Sequence, residues 1–251
     1  MARLKGLLKI EGTLDNLTFY KTQDGHLVKT KSGVSGDRIA NDPNFQRTRE
    51  NGSEFGSSAS AGKLLRNAVR NLMMNASDNR VTSRLTQIMT QIKNYDATSP
   101  RGERNVGIGI ADPMAQALLK GFDFNDSATL GSVIFAPFTV NTGTGDIAFP
   151  AFTPINDIYY PTGATHVSFK SAFADVDFVN NVSAIEYSPV QNIVIDGTNT
   201  PFNLLPAGVP AGAGTGGRLR HGVRAPATPP TGVPTSGGTP RAGTPHRAAP
   251  S

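Results

Sequence analysis

Cysteine is missing from all 251 residues, tryptophan is missing too, and only four histidines occur. Without thiols the chain forms no disulfide, no thiolate zinc site and no cysteine nucleophile. The histidines are His26, His166, His221 and His246, and no two of them share a metal-ligand spacing. No run of about 18 apolar residues occurs, so no segment reads as a membrane-spanning helix. Leu7-Leu8, set among Arg3, Lys5 and Lys9, is too short an apolar run for a signal peptide, and the cytoplasm is the default compartment. Catalytic motifs are equally scarce. Gly107-Ile108-Gly109 has neither the third glycine nor the downstream acid of a phosphate-cradling loop, and reads as a tight turn. No serine sits in a nucleophile elbow. The sequence therefore predicts no enzyme, no catalytic residue and no cofactor site.

Charge is present but unevenly placed. Residues 1–120 hold 18 basic and 11 acidic side chains, a net +7. Residues 121–217 hold Lys170 as their one basic residue against eight acids, a net −7. The last 34 residues, Arg218 to Ser251, add five arginines and no acid, which accounts for the formal +5 of the whole chain. Such asymmetry marks organisation along the chain and asks what each part faces.

Residues 1–32 read as a β-meander: a strand over Leu7–Glu11, then a hairpin of Leu17–Thr22 and Leu27–Lys31 around an Asp24-Gly25 turn. Residues 33–121 read as helical. Asp42-Pro43 and Asp112-Pro113 each place a capping carboxylate before a proline at the first helical position. Between them, Phe45, Phe55, Leu65, Val69 and Leu72 outline one helix, with Gly52 and Gly56 predicting a break near residue 56. Val81, Leu85, Ile88, Ile92 and Tyr95 outline a second, at spacings of four, three, four and three.

From Thr129 the period changes. Val133–Val140, Asp146–Phe149, His166–Ala174, Ala184–Tyr187 and Asn192–Asp196 are short, β-branched or aromatic runs separated by turn residues. Residues 122–212 therefore read as an antiparallel, immunoglobulin-like β-sandwich. Residues 213–251 read as a disordered tail. The 34 residues from Arg218 include seven prolines and only Leu219, Val223 and Val233 as larger apolar side chains. Ordering them costs on the order of 50 kcal/mol, which so few apolar groups do not offset. The sudden loss of lysine, asparagine and aromatics at residue 218 is what a frame-shifted or read-through end produces.

Two surfaces stand out. Lys63, Arg66, Arg70, Arg80 and Arg84 lie opposite the apolar stripes, and Asp78 is the sole acid between Phe55 and Tyr95. These cations suit phosphates, solvent, or the acidic half of the same or a neighbouring molecule. Asp157, Asp175, Asp177 and Asp196 are their acidic counterparts in the sandwich. The same aspartates are oxygen donors of the kind calcium takes, though no twelve-residue calcium loop is present and turn-capping is the simpler reading. Arg47, Arg49, Glu50 and Glu54 form a further cluster whose helical spacings do not stabilise it locally. It reads as a tertiary ion-pair network against the hairpin.

Several segments carry a resemblance. Ala2-Arg3-Leu4-Lys5-Gly6, Leu17-Thr18-Phe19-Tyr20 with Asp24-Gly25, Arg47-Thr48-Arg49-Glu50-Asn51 leading to Ser53-Glu54-Phe55-Gly56, and Arg101-Gly102-Glu103-Arg104 together resemble a family of unknown function common in Bacteroidetes genomes. The likeness covers about residues 2–210. It implies a small non-enzymatic protein and transfers no catalytic residue. Members of that family finish with further strand-like sequence, where this chain has its Pro/Arg tail.

The expectation is an α+β protein that binds or assembles without catalysis, its basic helical face meeting the acidic sandwich of itself or of another protein. Nucleic-acid binding through the basic face is the alternative, and a carbohydrate- or calcium-binding sandwich the third reading.

Overall fold

The computed structural model describes residues 2–3, 10–23, 25–30, 33–74, 76, 78–210 and 218–224. The architecture is α+β, with several small antiparallel sheets and helices between them.

Four strands open the chain: β1 (Ala2–Arg3), β2 (Gly12–Leu14), β3 (Leu17–Thr22) and β4 (Gly25–Thr30), in sheet order β1-β4-β3-β2. The hairpin of β3 and β4 is as expected, but its ladder runs to Thr22 opposite Gly25. The turn is therefore at residues 23 and 24, and Gly25 enters the ladder at φ +113°, which only glycine adopts without strain. The strand expected at Leu7–Glu11 is corrected. Residues 7–9 lie outside the described ones, and the segment pairing with β3 is Gly12–Leu14. Asp15-Asn16 forms the connecting turn, with Asp15 at φ +49°, and this tight-turn pair draws residues 12–14 onto β3. No described residue of these strands is buried.

Helix α1 (Gly36–Asn41) is capped by Ser35, whose hydroxyl accepts from Arg38 N at 3.3 Å. Asp42 then caps a 3₁₀ turn, Pro43–Phe45, by accepting from Asn44 N at 2.9 Å. Helix α2 (Gln46–Ala68) runs on without the break expected at residue 56. Its glycine cost is offset by packing: Ala61, Leu65 and Ala68 bury against α4 (Val81–Lys93), where Leu85, Met89 and Ile92 are buried. Gly62 lies under Leu85 and Met89, where an added Cβ would touch both at 3.7 Å. Phe55 does not join this stripe and is 59% exposed. After a short α3 (Arg70–Met73) and α4 come α5 (Val106–Gly109) and α6 (Pro113–Leu119), with Asp112 accepting from Met114 N at 2.7 Å as its cap.

The second half contains α7 (Leu130–Val133), β5 (Thr139–Val140), β6 (Ile147–Phe149), α8 (Pro154–Asp157), β7 (His166–Phe169), β8 (Ser171–Asp177), β9 (Val182–Tyr187), β10 (Gln191–Val194) and β11 (Phe202–Leu204). The expected strand Val133–Val140 is a helix turn plus a two-residue strand. The expected strand His166–Ala174 divides at Lys170 into β7, paired with β10, and β8, paired with β9. Sheet β11-β6-β5 and sheet β10-β7 share a phenylalanine core: Phe149 stacks on Phe202 at 4.6 Å between ring centroids, and Phe169 lies 5.4 Å from Phe152 edge-on. Strand β8 is buried on both faces. Ala174 and Val176 complete the helical core of α2, α4, α5 and α6. The expected boundary at residues 121 and 122 thus crosses a shared core.

One further strand corrects the reading of residues 213–251. Residues 218–224 form β12 (Arg218–Arg224), antiparallel to β8 in a three-stranded sheet of order β12-β8-β9. Spaced arginines and few prolines up to Arg224 leave this stretch free to pair, because a buried strand offers it a complete ladder. Residues 213–217 and 225–251 lie outside the described ones.

Candidate functional site

The charged residues sort into three places. The first is an ionic clasp at the N-terminal half of α2. Glu54, Ser58, Ala61, Leu65 and Ala68 recur at spacings of four, three, four and three, so Glu54 occupies a core position of the helix and is 2% exposed. A lone carboxylate there would be costly. Its oxygens accept instead from Lys93 Nζ, from Gly102 N at 2.9 Å, and from Arg104 Nε and Nη2 at 2.8 and 2.9 Å. The Arg104 guanidinium, then Lys93 and the Gly102 amide, outweigh burial and hold the carboxyl down at about 2. Gly102 has φ +94°, and a Cβ on it would lie 3.0 Å from Glu50 Cγ, so glycine is what lets the loop close over α2.

Glu50 extends the clasp by pairing with Arg47 at 2.9 Å and Arg101 at 3.2 Å. Arg101 also donates to Asn51 Oδ1 at 3.1 Å. Asp96, buried in the same loop, accepts from Thr98, Ser99 and Asn105. Burial raises its pKa, but these donors, Ser99 foremost, prevail and bring it to about 2. The network expected around Arg47, Glu50 and Glu54 therefore exists, but it faces the 93–105 segment rather than the hairpin. Arg49 stands apart and donates to the carbonyls of Ile39 and Asp42 at 2.8 and 3.0 Å. A carboxylate saturated with donors and held near 2 is a poor general base at neutral pH. The clasp's work is to join segments 50 residues apart.

The second place is the basic helical face. Lys63, Arg70 and Arg80 are exposed and make no ion pair among the described residues. Arg66 is half-buried, with one guanidinium nitrogen buried and unpartnered among those residues. Arg84 is separate from this face in function. It pairs with Asp78 at 2.5 Å, donates to Asp123 O at 2.8 Å and lies 5.2 Å over the Phe122 ring. Asp78 in turn accepts from Asp126 N at 2.7 Å. Arg84 thereby fastens α4 to the first acidic stretch of the second half.

The third place is the set of sandwich aspartates. Asp157 accepts from Thr153 N at 2.6 Å, Asp196 from Thr198 N at 2.8 Å, and Asp177 from Val179 N and Asn180 N at 2.9 and 3.0 Å. These are turn-fixing contacts. Asp175 and Asp177 are buried within β8 at 1% and 0% exposure, so neither belongs to an open acidic face. Among the described residues no group of three or more His, Asp or Glu is placed to hold a metal ion. The void in the phenylalanine core measures about 10 Å³, too small for a sugar.

What sequence reasoning missed is the β12 ladder. Arg218 stands opposite Asp177, Arg220 opposite Asp175 and Arg224 opposite Ser171. On β9, Val182 and Ala184 flank the same two aspartates, and Glu186 stands opposite Phe173. Directly opposed residues of an antiparallel pair share a face, so Arg218, Arg220 and Arg224 share one with Asp175, Asp177 and Glu186. The alternation of arginines at 218 and 220 with aspartates at 175 and 177 was the available signal. No family model, curated protein or solved structure matches the chain.

Proposed function

We propose that this chain is a non-catalytic assembly protein that associates with copies of itself. The observation that supports this reading best is the β12–β8 ladder, in which an arginine strand from the C-terminal arm lies in register with the buried aspartates of the acidic half. Strand addition gives affinity through main-chain hydrogen bonds and selectivity through alternate side chains. The earlier picture, a basic helical face docking on an acidic sandwich face, is narrowed by burial. Asp175 and Asp177 reach a partner only through a strand beside them. The likeness of the second half to an immunoglobulin sandwich belongs to this proposal too, supported by the two facing sheets around Phe149, Phe169 and Phe202. So does membership of the Bacteroidetes family, which the clasp residues support as the place where its quoted segments meet.

Light scattering of the full chain over a range of concentrations tests the assembly reading. A mass above that of one chain, falling as salt is added, is the expected result. A single-chain mass at every concentration and low salt rejects it. A second reading, nucleic-acid binding, is favoured by one observation: Lys63, Arg70 and Arg80 are exposed without ion-pair partners among the described residues. Salt-dependent retention of the full chain on duplex DNA or RNA distinguishes it.

A further inference from the structure

We infer that β12 is an exchangeable donor strand, and that the β8 edge it occupies accepts the Arg218–Arg224 segment of a second copy of this chain. The inference rests on the assembly reading and names its interface. Strand β8 is the central strand of its sheet and all seven of its residues are buried, yet Ser171, Asp175 and Asp177 are polar. One edge of β8 is taken by β9, which follows it in the chain through the Asp177–Asn181 turn. The other edge is taken by β12 alone.

The path back to that edge is long. Ala207 N donates to Tyr187 O at 3.1 Å, and Tyr187 stands opposite Ala172, near the start of β8. Strand β12 begins opposite Asp177, at the other end. The gap is roughly 20 Å along the strand and roughly 10 Å across two strand spacings. The eleven steps from Ala207 to Arg218 reach at most about 37 Å, enough to close on the same copy and enough to cross to another. The intervening sequence Ala211-Gly212-Ala213-Gly214-Thr215-Gly216-Gly217 contains no side chain larger than threonine, so it carries no apolar group to anchor it to its own body.

Charge selects the occupant. The Asp175 and Asp177 positions call for a strand with cations two residues apart, and Arg218-Leu219-Arg220 supplies them in register. The arm from residue 218 has five arginines and no acid, whereas residues 121–217 carry a net −7, so the arm of one copy is steered towards the acceptor half of another. Reciprocal exchange between two copies keeps every ladder contact and closes as a two-fold dimer.

The absence of native cysteine makes a direct test available. Ala174 and His221 are opposed in the ladder, and opposed positions of antiparallel strands lie within disulfide reach. The full chain carrying Ala174→Cys and His221→Cys is oxidised at the concentrations used for light scattering and run without reductant. A covalent dimer is expected. A wholly internal disulfide overturns the exchange, and the assembly reading then stands or falls separately on the light-scattering mass. No disulfide of either kind overturns the register and the inference with it. Adding Arg218→Asp and Arg220→Asp, with circular dichroism confirming the fold, should lower the dimer yield about tenfold. An unchanged yield also overturns it, because charge would then not choose the strand.

Discussion

Glu54 is the single side chain on which most of the clasp depends. Replacing it with glutamine removes the charge while Lys93 and Arg104 stay where they are, and breaking one side of a buried pair is costly. Glu54→Gln should lose about 3 kcal/mol in urea unfolding. The same residue sets an acid limit. Its folded pKa of about 2 lies below the ordinary 4.5, so its stabilisation is complete above about pH 4.5 and is lost as pH falls towards 2. A melting-temperature profile over that window should slope steeply in the native chain and more shallowly in Glu54→Gln. Glu54 was legible as part of a cluster, and the spacing from 54 to 68 placed it on the core stripe. Its partners were not legible, because Lys93 and Arg104 lie 39 and 50 residues away and nothing in local spacing joins them.

Among the elements, α5 shows how closely two short pieces approach. A Cβ on Gly109 would sit 2.2 Å from Ile92 O, at the end of α4. Gly109→Ala should therefore force the two apart and cost about 2 kcal/mol, read as a lower urea midpoint. The sequence had this glycine in view as part of a weak phosphate-loop pattern, whereas its place is set by backbone contact. Capping signals were the most readable feature. Asp42 and Asp112 sit where their Asp-Pro pairs said they would, since a cap is a local device. Gly56 misled because helix propensity is also local, and packing of α2 on α4 overrode it. The run from His166 to Ala174 looked like one strand. Its division at Lys170 comes from two different partners, β10 and β9, which no single-strand pattern encodes.

For the whole molecule, the charge division along the chain proved real but differently used. Arg84 is spent on Asp78 and the Asp123 carbonyl, and two of the acids are sealed inside β8. Lys63, Arg70 and Arg80 remain as open cations. If nucleic acid is their partner, Lys63→Glu, Arg70→Glu and Arg80→Glu together should flatten the dependence of log affinity on log salt by a slope of about 3. If assembly is the function, the same triple variant should leave the light-scattering mass unchanged, because the β12–β8 ladder lies elsewhere. The tail was the hardest part to read. Its proline content argues against structure over most of its length, but Arg218–Arg224 precedes the first of those prolines.

The strand run from His166 to Asp177 lies in the phenylalanine core at one end and in the helical core at the other, with Lys170 between. Neither core can open while the other keeps its share of this segment. Amide hydrogens from Val167 to Val176 should accordingly exchange with deuterium at one common slow rate, set by opening of the entire body. Twelve residues thus make two hydrophobic clusters melt as a single event.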